Sequence, residues 1–487
     1  MAQLLNIITN KPNWETKIID PKIVKKWRME LTAQSVNPKV LDLVIELLAD
    51  YKKIKEREHN INDDDKFEWV LDVGINPKEY SIVDQCNCKC NVCKGEEYKD
   101  QSDYSDEDSS DGSDRDSDNE IINCKCTPTR LIAKRNSFIT KYTIHTHGLI
   151  DPNIKDIFKA NVAELQKKIP LDYHPGSNNL VVDIVHPSLY CYVKGVTKTS
   201  KKMNQRILFQ WLPAEFSVKK GKVSINSYIN NLDPVDHLDL YVSIANIFEK
   251  FVPKFNQLLK TLKDNGLIKT ANTPETIDNA NNLQFEPLSQ CQVIVKLANT
   301  VLTPESPASP IGSWHLEGLP NEKIIATGIY YYEMTNISRN YLNFRTTLNS
   351  GVDVDYPQDG HEYVRTHYGF TGEPKQDNYG DLTGSVVELG NIETVEDMCL
   401  VFPNFMQHQV SEFNLVDKNK PGCRKILVFF LIDPSSRILS TADVKPQQSV
   451  MSLEDAKLYR ELLMFQRKYE ISDQNSFYER GWSLCEH

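Results

Sequence analysis

The chain has 487 residues, 40% hydrophobic and 25% charged, and a formal net charge of −11. That length exceeds one compact core and predicts two or three packed units, while the longest wholly apolar run, Ile426 to Ile432, is far too short to cross a membrane. The acidity is local: residues 96–120 hold twelve Asp/Glu against Lys99 and Arg115, so the nearly neutral remainder gives no electrostatic footprint for nucleic acid or an anionic membrane.

The N-terminal sequence MAQLLNIITNKPNW lacks the basic start, apolar stretch and cleavage site of a secretory signal. This predicts an intracellular protein, cytoplasmic or nuclear, with reduced thiols. Residues 1–85 read as a helical region. Asn37-Pro38 supplies an N-cap and a proline at the first helical position, and Leu41, Val44, Ile45, Leu48 and Tyr51 follow at helical spacing. Residues 86–126 form a cysteine-rich insertion, with Cys86, Cys88, Cys90 and Cys93 before the acidic loop and Cys124 and Cys126 after it. Six thiols at two ends of one insertion suggest structural zinc, although only Cys90 and Cys93 make a C-x-x-C pair; the competing reading is a flexible thiol-rich loop. The Ser/Asp centre is too polar to bury a core and is expected to be disordered, either a solubilising tether or a target of acid-directed phosphorylation.

Residues 127–290 read as a mixed helical support region. From near Asp236, an apolar stripe through Leu240, Ile244, Phe248, Phe251, Phe255 and Leu262 predicts a long amphipathic helix, kinked at Pro253. His174 and His186 each precede a proline, which places them in extended or turn segments where they are candidates to line a substrate pocket. Lys198, Lys201, Lys202 and Arg206 read as a solvated face. Residues 291–440 change texture: the runs IIATGIYYYE, YLNFRTT, SVVELG, DMCLVF and KILVFFLID, punctuated by Gly, Pro, Asn and Asp, predict an antiparallel sandwich or barrel. Residues 441–487 close the chain with a helical extension that opens on Ser452-Leu453-Glu454-Asp455, a capping box in Asp form.

Within 291–440, His315 and Glu317 stand two apart in WHLEG, so an extended backbone directs both side chains to the same face. His408 lies downstream, just after DMCLVF, where a neighbouring strand of a rolled sheet can bring it beside that pair. Two histidines and a carboxylate on one side of an ion make the facial arrangement that suits non-heme Fe(II) with positions left open. His361 and His367 are alternatives to His408, which is preferred because it directly precedes a strand opening with a basic residue. On that strand Arg424 is the first candidate to grip a cosubstrate carboxylate, Lys425 its neighbour of opposite parity and Arg345 a third cation. Taken singly, each of these residues has an ordinary alternative as a hydrogen-bonded core group; it is their combination that points to a metal centre.

At these residues the chain resembles the Fe(II)/2-oxoglutarate dioxygenase superfamily, whose barrel carries a His-x-Asp/Glu pair, a distal histidine and a basic residue on the next strand. It resembles more closely an uncharacterised family found largely in fungi and protists, through segments that include NKPNW, DYHPGSNNLVVDIVHPSLY, FQWLPAEF, GSWHLEG, FPNFMQHQVSEF and PGCRKILVFFLIDP. The resemblance implies an α+β protein with a double-stranded β-helix, or jelly roll, wrapped by N-terminal and C-terminal helices. It also implies Fe(II) on His315, Glu317 and His408, with 2-oxoglutarate as cosubstrate. By the same resemblance, one or two of Tyr330, Tyr331 and Tyr332 point inward to the cosubstrate, with Tyr330 and Tyr332 the cofactor-binding candidates and aromatic packing the alternative. Two departures stand out: Glu317 where aspartate is commoner, and Ile426 where a small hydroxyl residue often stands. The implied activity is hydroxylation or demethylation of an unknown substrate, a small molecule or a protein side chain. The alternatives are a non-catalytic metal-binding cupin and an interaction scaffold that works through the acidic, cysteine-rich insertion.

Overall fold

The computed structural model describes residues 7–9, 11–33, 36–57, 139–265, 285–347, 375–377, 380–384, 386–479 and 481–483. The zinc candidates Cys86, Cys88, Cys90, Cys93, Cys124 and Cys126, the acidic loop, His361 and His367 lie outside the described residues.

Local signals set the helix starts. Helix α1 (Pro21–Ala33) buries Val24, Trp27 and Leu31, and α2 (Pro38–Arg57) begins where Asn37 Oδ1 accepts the Lys39 N–H at 3.0 Å. Helix α3 (Pro152–Lys168) starts in the same way from Asp151, whose carboxylate accepts the Asn153 N–H at 2.8 Å. Helix α4 (Leu238–Asp264) runs through Pro253 as one element and buries Phe248, Phe251 and Phe255. Helix α5 (Leu453–Tyr478) is capped by Ser452, whose Oγ accepts the Asp455 N–H at 3.0 Å.

The strands are β1 (Ile144–His147), β2 (Val181–Val185), β3 (Ala214–Lys219), β4 (Lys222–Ile225), β5 (Gln290–Leu302), β6 (Ile324–Thr335), β7 (Asn340–Thr347), β8 (Val386–Thr394), β9 (Met398–Pro403), β10 (Gln407–Val410) and β11 (Gly422–Ile432). Eight of them form one sheet in the order β1-β9-β6-β11-β5-β3-β4, with β2 also paired to β5, and every pairing is antiparallel. A three-stranded sheet has the order β8-β7-β10. The protein is thus a mixed α/β structure with large antiparallel sheets.

Alternation along the central strands gives the large sheet two different faces. On one, Phe429 of β11 meets Phe248 and Phe251 of α4 with ring centroids 5.0 and 5.3 Å apart, and Tyr332 of β6 meets Phe158 of α3 at 5.1 Å. Gly328 sits under the same helix, where a Cβ would come within 2.8 Å of Phe255 and 2.9 Å of Phe251. The opposite face carries Arg424, Ile426, Val428 and Phe430 of β11, with Phe430 stacked on Trp211 at 5.5 Å. This second face positions the site.

The chain divides into two units, one of residues 1–69, 142–343 and 391–476, the other of residues 70–141, 344–390 and 477–487. The second unit holds a three-stranded antiparallel sheet of Lys375–Asp377, Gly380–Gly384 and Gly481–Ser483, together with an ion pair of Arg345 and Glu479. No helix among the described residues is long and apolar enough to cross a membrane.

Candidate metal centre

The His315–Glu317 segment is extended without belonging to a long strand. His315 and His408 exchange backbone hydrogen bonds, N–H to O at 3.2 Å one way and 3.1 Å the other, which fixes the two imidazoles side by side. Their ring centroids are 4.4 Å apart, and His408 leans edge-on against Phe402 of β9 at 4.9 Å. Alternation buries Leu316 to 3% and leaves Glu317 on the histidine side. Asn404 clamps Glu317 from both directions: its Oδ1 accepts the Glu317 N–H at 2.8 Å, and its Nδ2 donates to the Glu317 carbonyl at 2.9 Å and to the Ile324 carbonyl at 3.0 Å.

The turn that follows is equally constrained. Gly318 has φ +80°, and a Cβ there would meet Ile324 Cδ1 at 2.6 Å and Glu322 Oε2 at 2.9 Å, so only glycine fits. Buried Glu322 accepts the Leu319 and Trp211 N–H groups and is paired by both oxygens with Arg467 at 2.7 Å.

The ligand atoms of His315, Glu317 and His408 all lie within 4.8 Å of one another. Glu317 Oε1 is 3.4 Å from His408 Nε2 and 3.9 Å from His315 Nε2. Ligands bound at about 2.1 Å on one octahedral face stand about 3 Å apart, so a small contraction would bring all three onto one ion. His315 Nδ1 lies 2.8 Å from the Ser313 carbonyl, which can only accept; the proton is therefore on Nδ1 and the Nε2 lone pair faces the cluster. Burial is the largest influence on His315 and, with the nearby His408, takes its pKa down to about 4 against the pull of Glu317. Burial would raise the Glu317 carboxyl, but the hydrogen bond from His408 and the attraction of both imidazoles outweigh it and hold the pKa at about 2. At neutral pH the cluster thus offers a neutral imidazole and an ionised carboxylate, the states that a divalent cation needs. The donor set fits Fe(II).

Strand parity separates the candidate cations. Arg424 is 6% exposed on the face opposite the helices; its Nη2 donates to Tyr331 Oη at 3.4 Å, its guanidinium carbon is 5.0 Å from that ring's centroid, and its Nε has no partner among the described residues. Lys425 points to the helix side and pairs with Glu333 at 2.8 Å, which also pairs with Lys159 of α3. Arg345 pairs with Glu479 at 2.9 Å. Lys425 and Arg345, expected as alternative cations for a cosubstrate, thus each have a carboxylate partner. Tyr330 and Tyr332, the tyrosines expected to bind the cosubstrate, have partners as well. Their hydroxyls donate to Asp397 and Asn299, at 2.9 and 3.0 Å, while Tyr331 is the tyrosine on the Arg424 face. A register shift between Lys425 and Ile426 sets this parity, and no local sequence signal marks it.

Sequence reasoning also passed over Asn404 and Lys296. Lys296, a lone charge in the apolar run QVIVKLANTVL, faces the same side as Arg424, opposite Val428. His174, Asp183 and His186 form a second cluster with ligand atoms within 4.8 Å. There, however, His186 Nδ1 accepts the Ser188 N–H at 3.1 Å, which puts its proton on Nε2; His174 Nδ1 is 3.0 Å from Asp183, and Arg460 already lies 3.8 Å from that carboxylate. These protons and the adjacent guanidinium fit a hydrogen-bonded cluster better than a cation site.

Residues 129–282 and 267–455 match the family described as "Protein of unknown function (DUF4246)", and residues 1–30 match its N-terminal domain. The chain belongs to the DUF4246 family. No curated protein matches it. Solved structures similar to this DUF4246 chain include the Fe(II)/α-ketoglutarate-dependent dioxygenase TqaL, 12% identical over 66% of this chain and 95% of that one, with a TM-score of 0.32. Another is the non-heme α-ketoglutarate-dependent epimerase SnoN from nogalamycin biosynthesis, 11% identical over 66% and 91%, TM-score 0.29. A Pseudomonas putida prolyl-4-hydroxylase is 8% identical over 62% and 98%, TM-score 0.24.

Proposed function

We propose that this protein is a non-heme Fe(II)- and 2-oxoglutarate-dependent oxygenase of the jelly-roll type that oxidises an organic substrate. The observation that carries this reading is the convergence of His315, Glu317 and His408 within 4.8 Å. A buried guanidinium on the same face as the histidine pair supports it, because Arg424 makes a hydrogen bond to a hydroxyl but no ion pair with any described carboxylate. Such a charge is costly unless an anion joins it, and the forked guanidinium suits the distal carboxylate of 2-oxoglutarate. The order of the large sheet, with a smaller sheet carrying β10, is what a rolled double sheet would give.

In this reading His315, Glu317 and His408 would hold the ion, which would supply oxidation of a substrate C–H bond by O2, one oxygen atom going to the substrate and the other to 2-oxoglutarate as it loses CO2 to become succinate. Ser313 keeps the His315 proton on Nδ1, so that Nε2 remains a ligand. Asn404 fixes the backbone of Glu317, and Tyr331 and Arg424 together orient the cosubstrate by its far end. Phe402 closes one side of His408 against water.

Anaerobic titration with Fe(II) and then 2-oxoglutarate tests the proposal, followed by succinate release in air. Wild type should bind both and release succinate, while His408→Ala should lose at least tenfold in metal affinity and Arg424→Met should lose 2-oxoglutarate but keep the metal. Folded wild type that binds neither would overturn it.

A further inference from the structure

We propose that Lys296 anchors a carboxylate of the substrate, so that the compound oxidised is an organic monocarboxylate; this rests on the oxygenase reading above. Strand register places the lysine. Lys296, Val428, Ile329 and Leu400 lie opposite one another across β5, β11, β6 and β9, as one rung of the face that carries Arg424. The rung on one side holds Tyr331, Arg424's partner, and the rung on the other holds Phe402, against which His408 packs. Each neighbouring rung is two residues, or about 7 Å, away. Along the strand direction Lys296 therefore falls between the cosubstrate end and the metal end of one surface, on β5, three strands across from β9. Its charge bears on His315, Glu317 and His186 alike.

Lys296 is half-buried and makes no hydrogen bond or ion pair among the described residues. Apart from Arg424, which the proposed cosubstrate answers, the neighbouring cations have carboxylate partners. Arg467 pairs with Glu322, Lys457 with Asp172, and Arg460 with Asp172 and Asp183. The proposed centre is balanced without the lysine. Iron(II) with Glu317 leaves one positive charge, Arg424 adds a second, and the cosubstrate dianion cancels both. Lys296 is then surplus, and a surplus ammonium on a partly dehydrated wall favours one further negative charge. A carboxylate supplies one charge. A phosphate monoester would supply nearly two, and a bidentate site for it would call for arginine.

Saturation-transfer NMR with acetate, hexanoate, benzoate and N-acetylglycine, each set against its neutral amide, tests this on the full chain with and without Fe(II) and 2-oxoglutarate under anaerobic conditions. Wild type should bind at least one acid at least tenfold more tightly than its amide. Lys296→Met should remove that preference, Lys296→Arg should restore most of it, and both should keep the wild-type affinity for Fe(II) and 2-oxoglutarate within about threefold. Acids and amides binding alike, or Lys296→Met retaining the preference, would overturn the proposal. So would a tenfold loss of 2-oxoglutarate affinity in Lys296→Met, because the lysine would then belong to the cosubstrate. A lysine-dependent preference in a protein that binds neither iron nor 2-oxoglutarate would support the anion subsite and remove the oxygenase reading alone.

Discussion

His186 is 2% exposed, and because its Nδ1 accepts the Ser188 N–H, the neutral ring keeps its proton on Nε2. Burial, reinforced by Lys296, His174, Arg460 and Arg467, holds its pKa well below 6.5. Above pH 6.5 the folded and unfolded chains both carry a neutral ring, and the contribution of this residue to stability is complete. As pH falls below 6.5 the unfolded chain takes up a proton that the folded chain refuses, so stability is lost at up to about 1.4 kcal/mol per pH unit. His186→Asn keeps an acceptor for Ser188 and removes the titration. Urea unfolding at pH 7.5 and 5.5 should therefore show a fall in wild type that exceeds the fall in the variant by about 1 kcal/mol. Equal falls would mean that the ring is not held neutral. Lys296 is the nearest example of a residue whose role was hidden at this scale: a lysine in a strand sequence carries no mark of which face it takes.

At the scale of elements, the decisive fact is that α3 and α4 cover one face of the large sheet and thereby leave the other to the candidate site. Gly328 records how close α4 comes. Gly328→Ala would place its Cβ 2.8 Å from Phe255 Cζ and 2.9 Å from Phe251 Cδ1. Alanine suits a strand slightly better than glycine, so the clash and the preference oppose each other, and overpacking at about 1–3 kcal/mol is the larger effect. The thermal midpoint should drop, and an unchanged or raised midpoint would contradict the packing of α4 on β6. The same covering explains the tyrosines: Tyr330 and Tyr332 are taken by Asp397 and Asn299 on the helix side, leaving Tyr331 to Arg424. The helices themselves were readable, because Asn37 and Ser452 act on N–H groups two or three residues away.

Within the first unit, a buried ion pair ties the C-terminal helix to the turn after the candidate ligand Glu317. Arg467 of α5 lies over the Trp211 ring at 3.6 Å and pairs with Glu322, five residues beyond Glu317. Glu322 is wholly buried, and its two backbone donors, Leu319 and Trp211, depend on its position. Arg467→Met leaves that carboxylate without its cation, at a cost of about 3–5 kcal/mol. Adding Glu322→Gln should recover part of the loss, which a denaturant double-mutant cycle measures; purely additive losses would show that the pair is not coupled. On the proposed function, an α5 detached from this turn should also weaken metal binding, since Gly318 and Leu319 continue directly from the candidate ligand Glu317.

The sequence by itself determined what depends on short range: the helix caps, the strand texture of 291–440, and the candidacy of His315 and Glu317, whose spacing of two places both on one side of any extended backbone. It also singled out His408 and Arg424, through their order ahead of and within one strand. Tertiary structure decided the rest, because the face a strand residue takes depends on pairing with partners far away in the chain. The shift between Lys425 and Ile426 chose Tyr331 over its neighbours, the pairing of β5 with β11 turned Lys296 toward the site, and the return of the chain at Asn404 supplied the clamp on Glu317. Side-chain direction in a sheet reverses with each single step of register, and register is a property of two strands at once.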